Sequence, residues 1–421
     1  MAPFVPVEEQ LARVSGGVID LHLVDELEQR LAESRKSGRP LRVKAGFDPT
    51  RPDLHLGHCV LLQKIRQFQD LGHIAIFLIG DFTAMVGDPT GASESRPRLT
   101  RDEVESAAAT YLNQAYAVLD KERLELRRNS AWLGSMTLVE AIELAAKTTV
   151  ARMLERNDFR RRFEEQLPIH QHEFLYPLLQ GYDSVVLDCD VELGGTDQLF
   201  NLLMGRELMV KYGKRPQIVM TTPLLEGTDA RVENGAIVGK KMSKSAGNYV
   251  GLKEDPASMF RKIMQIDDSV IFKYFDLLSR KGAREIAALR RDVAGGRNPL
   301  EIKELFASEI VERFHGAPAA ELASRDFERV YGKNVAPDDI PSIELSPEAG
   351  VAELAWALKQ AHLVSSTSEA RRLIEQGGVE VDGERVTDPK HRLPSGSEHV
   401  VRVGSKNRRF ARVRVRAPSP D

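Results

Sequence analysis

The apolar positions fall into short continuous runs and helically spaced sets, and their order along the chain predicts the architecture. Leu41 to Phe47 has the length and content of a buried strand. Val60 to Leu71 carries Leu61, Leu62, Ile65, Phe68 and Leu71 at helical spacing, and Ile74 to Ile79 is again short enough for a strand. Strand, helix, strand predicts a βαβ unit, whose ligands bind beyond the carboxyl ends of the strands. Val18 to Ser34 reads as a helix that packs on the sheet. Thr100-Arg101-Asp102-Glu103 is a capping box that starts a helix running to about Leu119. Leu138 to Gln166 reads as helical and charged, with Pro168 marking its end. Val185 to Leu193 reads as a strand, followed by a helix to about Tyr212 and a further strand from Ile218 to Thr222.

From Ser258 to His315 the pattern is helical, and Asn298-Pro299 is a good helix start. Prolines and aspartates after Val335 predict a linker over 336–350. Val351 to Arg416 is a compact last module. Ser366-Thr367-Ser368-Glu369 caps a helix that ends at Gly377-Gly378. Val379 to Val386 reads as a hairpin with an Asp-Gly turn, and His399 to Val403 and Ala411 to Val415 read as short strands.

At 421 residues the chain is expected to hold two or three domains. A hydrophobic fraction of 42% and a charged fraction of 29% are those of a soluble globular protein. The net charge of −3 does not announce a nucleic-acid binder, but Arg371 to Arg416 is rich in Arg and Lys, as in an RNA-binding tail. Two cysteines imply neither a disulfide framework nor a Cys-based metal site, and fit a reducing cytoplasm. Met1 to Gln10 lacks the apolar core of a signal peptide, and no apolar run approaches the roughly 20 residues that span a bilayer. Without a Walker-type loop or a G-x-G-x-x-G fingerprint, ordinary kinase and dehydrogenase readings lose ground.

Candidate chemistry begins where the first strand turns into the first amphipathic helix, at Gly46-Phe47-Asp48-Pro49-Thr50 and Asp53-Leu54-His55-Leu56-Gly57-His58. A helix N-terminus favours phosphate, Gly57 lets an adenine ring lie against the backbone, and two imidazoles can donate to phosphate oxygens. Alone, H-x-G-H is equally two surface histidines; zinc is disfavoured because no third ligand cluster is near. Gly239-Lys240-Lys241-Met242-Ser243-Lys244-Ser245 suits a mobile clamp on a polyphosphate, or is a solvated basic loop. Gly87-Asp88-Pro89-Thr90-Gly91 lies at the same sheet edge and is otherwise a turn. Arg152, Arg156 and Arg160 share a helical face, which reads as solvated or as facing RNA or a partner subunit. Tyr176, Gln180 and Asp183 also share a face, a pocket wall or a polar surface stripe.

Together and in this order, H-x-G-H and K-M-S-K-S resemble the signature pair of class I aminoacyl-tRNA synthetases. Adding Gly46 to His58, Gly87 to Gly91, Tyr176 to Asp183 and Gly194 to Asn201, nearly the whole chain resembles the bacterial tyrosyl-tRNA synthetases. The last module resembles an RNA-binding domain first described in a small-subunit ribosomal protein. The resemblance implies an α/β fold: a Rossmann-like parallel-sheet catalytic domain over 1–225 with a helical connective and dimer insertion at about 103–193. Residues 226–335 would hold the lysine loop and an α-helical anticodon-side domain, 336–350 a linker, and 351–421 a small α+β RNA-binding domain.

The implied activity is a tyrosine–tRNA ligase that forms tyrosyl adenylate and pyrophosphate from tyrosine and ATP, then charges the terminal adenosine of tRNA(Tyr). Thr50, His55 and His58 would contact ATP and its phosphates, with Lys241 and Lys244 on the departing pyrophosphate. Asp48 and Asp197 would hold substrate groups that include the ribose and the ammonium. Gly57, Met242 and Ser245 would complete the ATP site. Asp88, Tyr176 and Gln180 would bind the ammonium, Asp183 the phenol hydroxyl, and Gln198 would lie near the attacking carboxylate. Mg²⁺ would accompany ATP, no resident metal site is implied, and the enzyme would be a cytoplasmic homodimer without membrane contact. The strand position that often supplies a second phenol partner, a tyrosine, is Lys44 here, which puts the phenol-binding geometry in doubt. Two rivals are a dinucleotide-forming nucleotidyltransferase, usually much shorter, and an idle RNA-binding scaffold, which would lose signature residues.

Overall fold

The computed structural model describes residues 4–49, 53–89, 100–332, 340–346, 351–404 and 408–416. The chain divides into two compact units, Met1–Ala317 and Pro318–Asp421.

The first unit is built on a six-stranded sheet of β1 (Asp20–His22), β2 (Arg42–Phe47), β3 (Ile74–Ile79), β4 (Leu124–Arg128), β5 (Val191–Gly195) and β6 (Ile218–Thr222). Their spatial order is β1-β6-β5-β2-β3-β4. β2 pairs parallel with β3 on one side (Val43 beside Ala75) and with β5 on the other (Val43 beside Val191). Strand order therefore reverses at β2, and the crevice of a doubly wound sheet opens beyond the carboxyl ends of β2 and β5. Val43, Ala45, Ile76, Phe77, Val191 and Leu193 form its buried interior.

Three parts of this sheet differ from the sequence pattern. Residues expected to begin a helix at Val18 instead supply β1, antiparallel to β6 with Leu21 beside Met220. Leu23 takes a left-handed conformation (φ 67°), and the helix runs from Val24 to Ser37. β4, with its mixed polar sequence, is a partly exposed edge strand, so no buried apolar run marks it. The apolar stretch from Val185 to Leu193 belongs to two elements. A helix spans Gln171–Leu187, Asp188 ends it at φ 49°, and only Val191–Gly195 is strand. The charged stretch after Leu138 folds as helices Leu138–Ala145, Val150–Met153 and Asn157–Glu164, the first two restarted by N-cap Thr137 and Thr149. β4 and part of β5 thus lie within the expected insertion of 103–193 but belong to the sheet.

Helix Gln171–Leu187 packs against helix Leu199–Lys211 through two glycines. A Cβ on Gly181 would lie 2.8 Å from Leu208 Cδ1 and 3.1 Å from the Gly205 backbone nitrogen. Beyond β6, a hairpin of β7 (Arg231–Glu233) and β8 (Ala236–Val238) precedes helices Pro256–Met264, Ile271–Leu278, Ala283–Ala294 and Pro299–His315. Asn298 caps the last of these, accepting from Leu300 N at 3.0 Å.

The second unit holds β9 (Ser342–Leu345), β10 (Ala352–Glu353), β11 (Val379–Val381), β12 (Glu384–Val386), β13 (Arg392–Leu393), β14 (Glu398–Val403) and β15 (Arg409–Val415). Five of them form a sheet in the order β12-β11-β14-β15-β9. Leu354, Leu358, Ile374, Val379, Val401 and Val413 fill its core. The β11–β12 turn places Asp382 and Gly383 at φ 51° and 87°, the positive values a two-residue hairpin loop requires. Part of the expected linker at 336–350 is structural: Ile343 of β9 pairs parallel beside Val413. Ser-Ile-Glu-Leu is too short to announce a strand until β15 offers it an edge.

Gly181→Ala should force the two packed helices apart and lower stability by about 1–3 kcal/mol. Chemical denaturation against the parent chain, at unchanged m-value, measures this.

Candidate active site

The His-Leu-Gly-His turn is fixed by its own side chains. His55 is the N-cap of helix Leu56–Asp70, and its Nδ1 accepts from Gly57 N at 3.2 Å. His58 Nδ1 accepts from His55 N at 3.2 Å, and the ring centroids lie 4.0 Å apart. With each Nδ1 acting as acceptor, the neutral ring carries its proton on Nε2. Burial foremost, together with the nearby charges of Lys244 and Lys241, lowers the pKa of His55 to about 2 and that of His58 to about 4. Both rings are therefore neutral Nε2–H donors near pH 7. A Cβ on Gly57 would stand 3.0 Å from the His55 ring and 3.6 Å from Met242 Cβ.

The lysine loop is tied to this turn by backbone. Leu56 N donates to Val250 O and Leu252 N to Leu54 O, each at 3.0 Å. Met242 is buried and its N donates to Leu225 O at 2.8 Å. Asn248 shapes the turn: its Oδ1 accepts from Ser243 N and its Nδ2 donates to Asp229 Oδ1, both at 2.9 Å. Lys241 Nζ lies 2.9 Å from Asp197 Oδ2, just beyond β5, and Lys244 Nζ lies 3.5 Å from Asp53 Oδ2. Ser245 is exposed, with its hydroxyl 3.3 Å from that of Ser243.

Deeper in the crevice the polar groups form one chain. Asp48, just past β2, accepts from Thr83 Oγ1 at 2.8 Å and from the Tyr176 hydroxyl at 2.9 Å. Gly80 permits this approach, since a Cβ there would collide with Asp48 Oδ1 and Thr83 Oγ1. Asn129 Nδ2 donates to Thr83 Oγ1 at 3.0 Å and to Asp183 Oδ2 at 3.2 Å, while Trp132 Nε1 donates to Asp183 Oδ1 at 2.8 Å. Removal from water pushes the carboxyls of both Asp48 and Asp183 up to about 7, against these donors. Gln180 Oε1 is buried without a partner, an acceptor left over inside the pocket. On the other side Gln198 Nε2 donates to Asp88 Oδ2 at 2.9 Å, and Arg156 reaches Asp88 Oδ1 at 3.4 Å.

A family model described as "tRNA synthetases class I (W and Y)" matches residues 36–332, and one described as "S4 domain" matches 357–399. A tyrosine–tRNA ligase of Thiobacillus denitrificans is 55% identical, covering 93% of this chain and 97% of that protein. One of Nitrosospira multiformis is 51% identical over 98% of each. The chain belongs to the bacterial tyrosyl-tRNA synthetases of class I. In fold it is also similar to a C-terminally truncated mitochondrial tyrosyl-tRNA synthetase of Aspergillus nidulans, with TM-score 0.63 and 22% identity, covering 78% of this chain and 94% of that one.

For a tyrosyl-tRNA synthetase, several of these residues lie outside the sequence signatures. Asn129 and Trp132 follow β4, the edge strand without an apolar pattern, so nothing local points them at Asp183. The arginines with helical spacing do not form a solvated stripe. Arg156 is 5% exposed and pairs with Asp158 Oδ1 at 2.8 Å as well as with Asp88. Arg152 pairs with Glu155 and Glu207, Arg160 is exposed, and Arg162, outside that spacing, is fully buried against Glu173. The segment breaks into separate helices, so a single-helix face is not the right geometry for it. Thr50, Thr90 and Gly91 lie outside the described residues.

With Nδ1 engaged and burial opposing charge, the imidazoles of His55 and His58 should stay neutral well below the ordinary histidine range. Ring ¹⁵N and ¹H shifts of these two residues are expected to be flat from neutral pH down to about pH 5. Titration of either near pH 6.5 would contradict the geometry.

Proposed function

We propose that this site activates tyrosine with ATP and transfers it to tRNA, with a division of labour read from the crevice. The observation that supports it best is that backbone hydrogen bonds tie both signatures together, two imidazoles and two lysines, beyond the sheet edge where Asp48 begins the polar chain that ends at buried Asp183. An oxygen of the tyrosine carboxylate attacks the α-phosphorus of ATP, and the bond to pyrophosphate breaks. His55 and His58 offer Nε2–H groups, and Lys241 and Lys244 leave Asp197 and Asp53 to meet the developing charge. Thr50 joins them on the phosphates. Gly57 and Met242 line the adenosine side with Ser245, and Asp197 takes the ribose. Asp88, Tyr176, Gln180 and Asp48 surround the ammonium, Gln198 the carboxylate, and Asp183 accepts from the phenol. The ribose hydroxyl of the tRNA terminus, the 2′ one by class likeness, then attacks the carbonyl and AMP departs.

Mg²⁺ enters on the ATP phosphates. Among the described residues no group of three or more His, Cys, Asp or Glu side chains is placed to hold a metal ion. The two lysine charges and the two neutral Nε2–H donors are what this chain itself offers the leaving group. Leu138, Val139, Ile142, Val150 and Phe163 are 60–76% exposed on the short helices after β4, an apolar surface suited to a second copy in a homodimer. A cytoplasmic site of action fits the reaction, and among the described residues no helix is long and apolar enough to cross a membrane.

Tyrosine-dependent pyrophosphate exchange, run with each amino acid in turn, tests the assignment; faster exchange with tryptophan than with tyrosine would overturn it. If the lysines act on the leaving group, Lys241→Ala and Lys244→Ala should each lower the rate of adenylate formation by about 10²–10³ while tyrosine affinity changes little. Single-turnover pyrophosphate release separates the two effects. The excess of Lys and Arg between Arg371 and Arg416, within the second unit, supports a role in tRNA affinity through phosphate contacts that weaken with salt. A chain ending at Ala317 should keep pyrophosphate exchange and charge tRNA poorly, and equal loss of both would make the second unit part of the catalytic fold.

A further inference from the structure

Lys44 sits on central strand β2 with 1% of its side chain exposed, where a cation without partners is strongly disfavoured. Its ammonium donates to Glu192 Oε1 at 2.8 Å, to Ser184 Oγ at 2.8 Å and to the Gln180 carbonyl at 3.4 Å. Three N–H groups meet three acceptors, so none is left for a substrate. Gln180 and Ser184 lie one turn apart on helix Gln171–Leu187 and bracket Asp183. Glu192 is held in turn, its Oε2 accepting from Ser184 Oγ and from Gln217 Nε2, both at 2.7 Å. Gly205 makes room for this cluster: a Cβ there would lie 2.8 Å from Gln217 Nε2, 3.1 Å from Ser184 Oγ and 3.2 Å from Glu192 Oε2.

We propose that Lys44, clamped by Glu192, is a positioning residue for amino-acid selection. It fixes the helical turn that carries Gln180 and Asp183, and it supplies the positive field that keeps Asp183 an acceptor for the phenol. This rests on Asp183 being that acceptor. The groups facing Asp183 come from every neighbouring element: Lys44 from β2, Asp48 from the loop beyond it, Glu192 from β5, Tyr176 from its own helix, and the neutral donors Asn129 and Trp132 from beyond β4. The Cys189 thiol beside Lys44 is buried and pushed up to about 12, so it stays neutral. Burial opposes the Lys44 charge, but Glu192 and Asp183 outweigh it and hold its pKa above the ordinary lysine value.

The sign of the pH effect separates electrostatic positioning from mere packing. Asp183 is pushed up to about 7, so the KM for tyrosine should rise as pH falls through that value and the carboxyl protonates. Lys44 pulls the Asp183 pKa down more than Glu192 raises it. The experiment follows tyrosine KM and kcat of the full chain in pyrophosphate exchange from about pH 6 to about pH 9. Glu192→Gln should move the acid limb to lower pH. The pair Lys44→Met with Glu192→Gln, which leaves no lone buried charge, should move it up by about one unit. At neutral pH the pair should raise tyrosine KM about fivefold and change kcat by less than about threefold. A limb that stays in place in Glu192→Gln overturns the proposal, as does one that stays in place in the double variant; if the double variant does not fold, the single variant decides. Asp183→Asn serves as reference. If it keeps the limb and the preference for tyrosine over phenylalanine, the reading of Asp183 falls and this inference with it. If it loses both while the Lys44 and Glu192 variants leave the limb unmoved, only this inference falls.

Discussion

Tyr176 and Thr83 each donate to Asp48 where β2 leaves the sheet and its two neighbours part company. Polar groups withdrawn from water at that point are costly unless each has a partner. The chain meets the cost by linking them, from Tyr176 through Asp48, Thr83 and Asn129 to Asp183 and Trp132. A second cluster, Lys44 with Glu192, Ser184 and Gln217, lies behind the first. Because these groups are held by one another, the pocket is shaped before any substrate enters, which is what positioning catalysis requires.

Close packing makes those links possible. Gly80 admits the Asp48 carboxylate, Gly205 admits the Glu192 cluster, and Gly181 brings two helices near enough to seal it. Each glycine serves as space for a named neighbour, and none of these three has a positive φ. At the mouth of the crevice the arrangement is looser. Lys241 is exposed and Ser245 is exposed, and both lysines rest on carboxylates that can release them. The rigid end suits recognition of a small side chain, and the looser end suits a charge that appears only as the leaving group departs.

The local signals in the sequence reached far into this site. His-Leu-Gly-His between a strand and an amphipathic helix specified a helix N-terminus, because capping and periodicity are properties of neighbouring residues. The spacing of Tyr176, Gln180 and Asp183 placed them on one face of one helix for the same reason, and Asp-Gly specified the β11–β12 turn. The alternation of apolar runs also marked the parallel βαβ core of the sheet, and the Arg and Lys content marked the last module as basic.

Pairings between distant residues were decided only by the tertiary structure. Lys44 and Glu192 are far apart in sequence, and nothing near either announces a buried ion pair. Arg156 carries the spacing of a surface stripe, yet it turns inward because Asp88 and Asp158 wait there. Edge strands β1, β4 and β9 owe their existence to a partner's free hydrogen-bonding edge rather than to their own apolar period. What a residue does within a turn or two is written in its neighbours. Whether a charge is solvated, paired or turned into a pocket depends on which part of the chain folds against it.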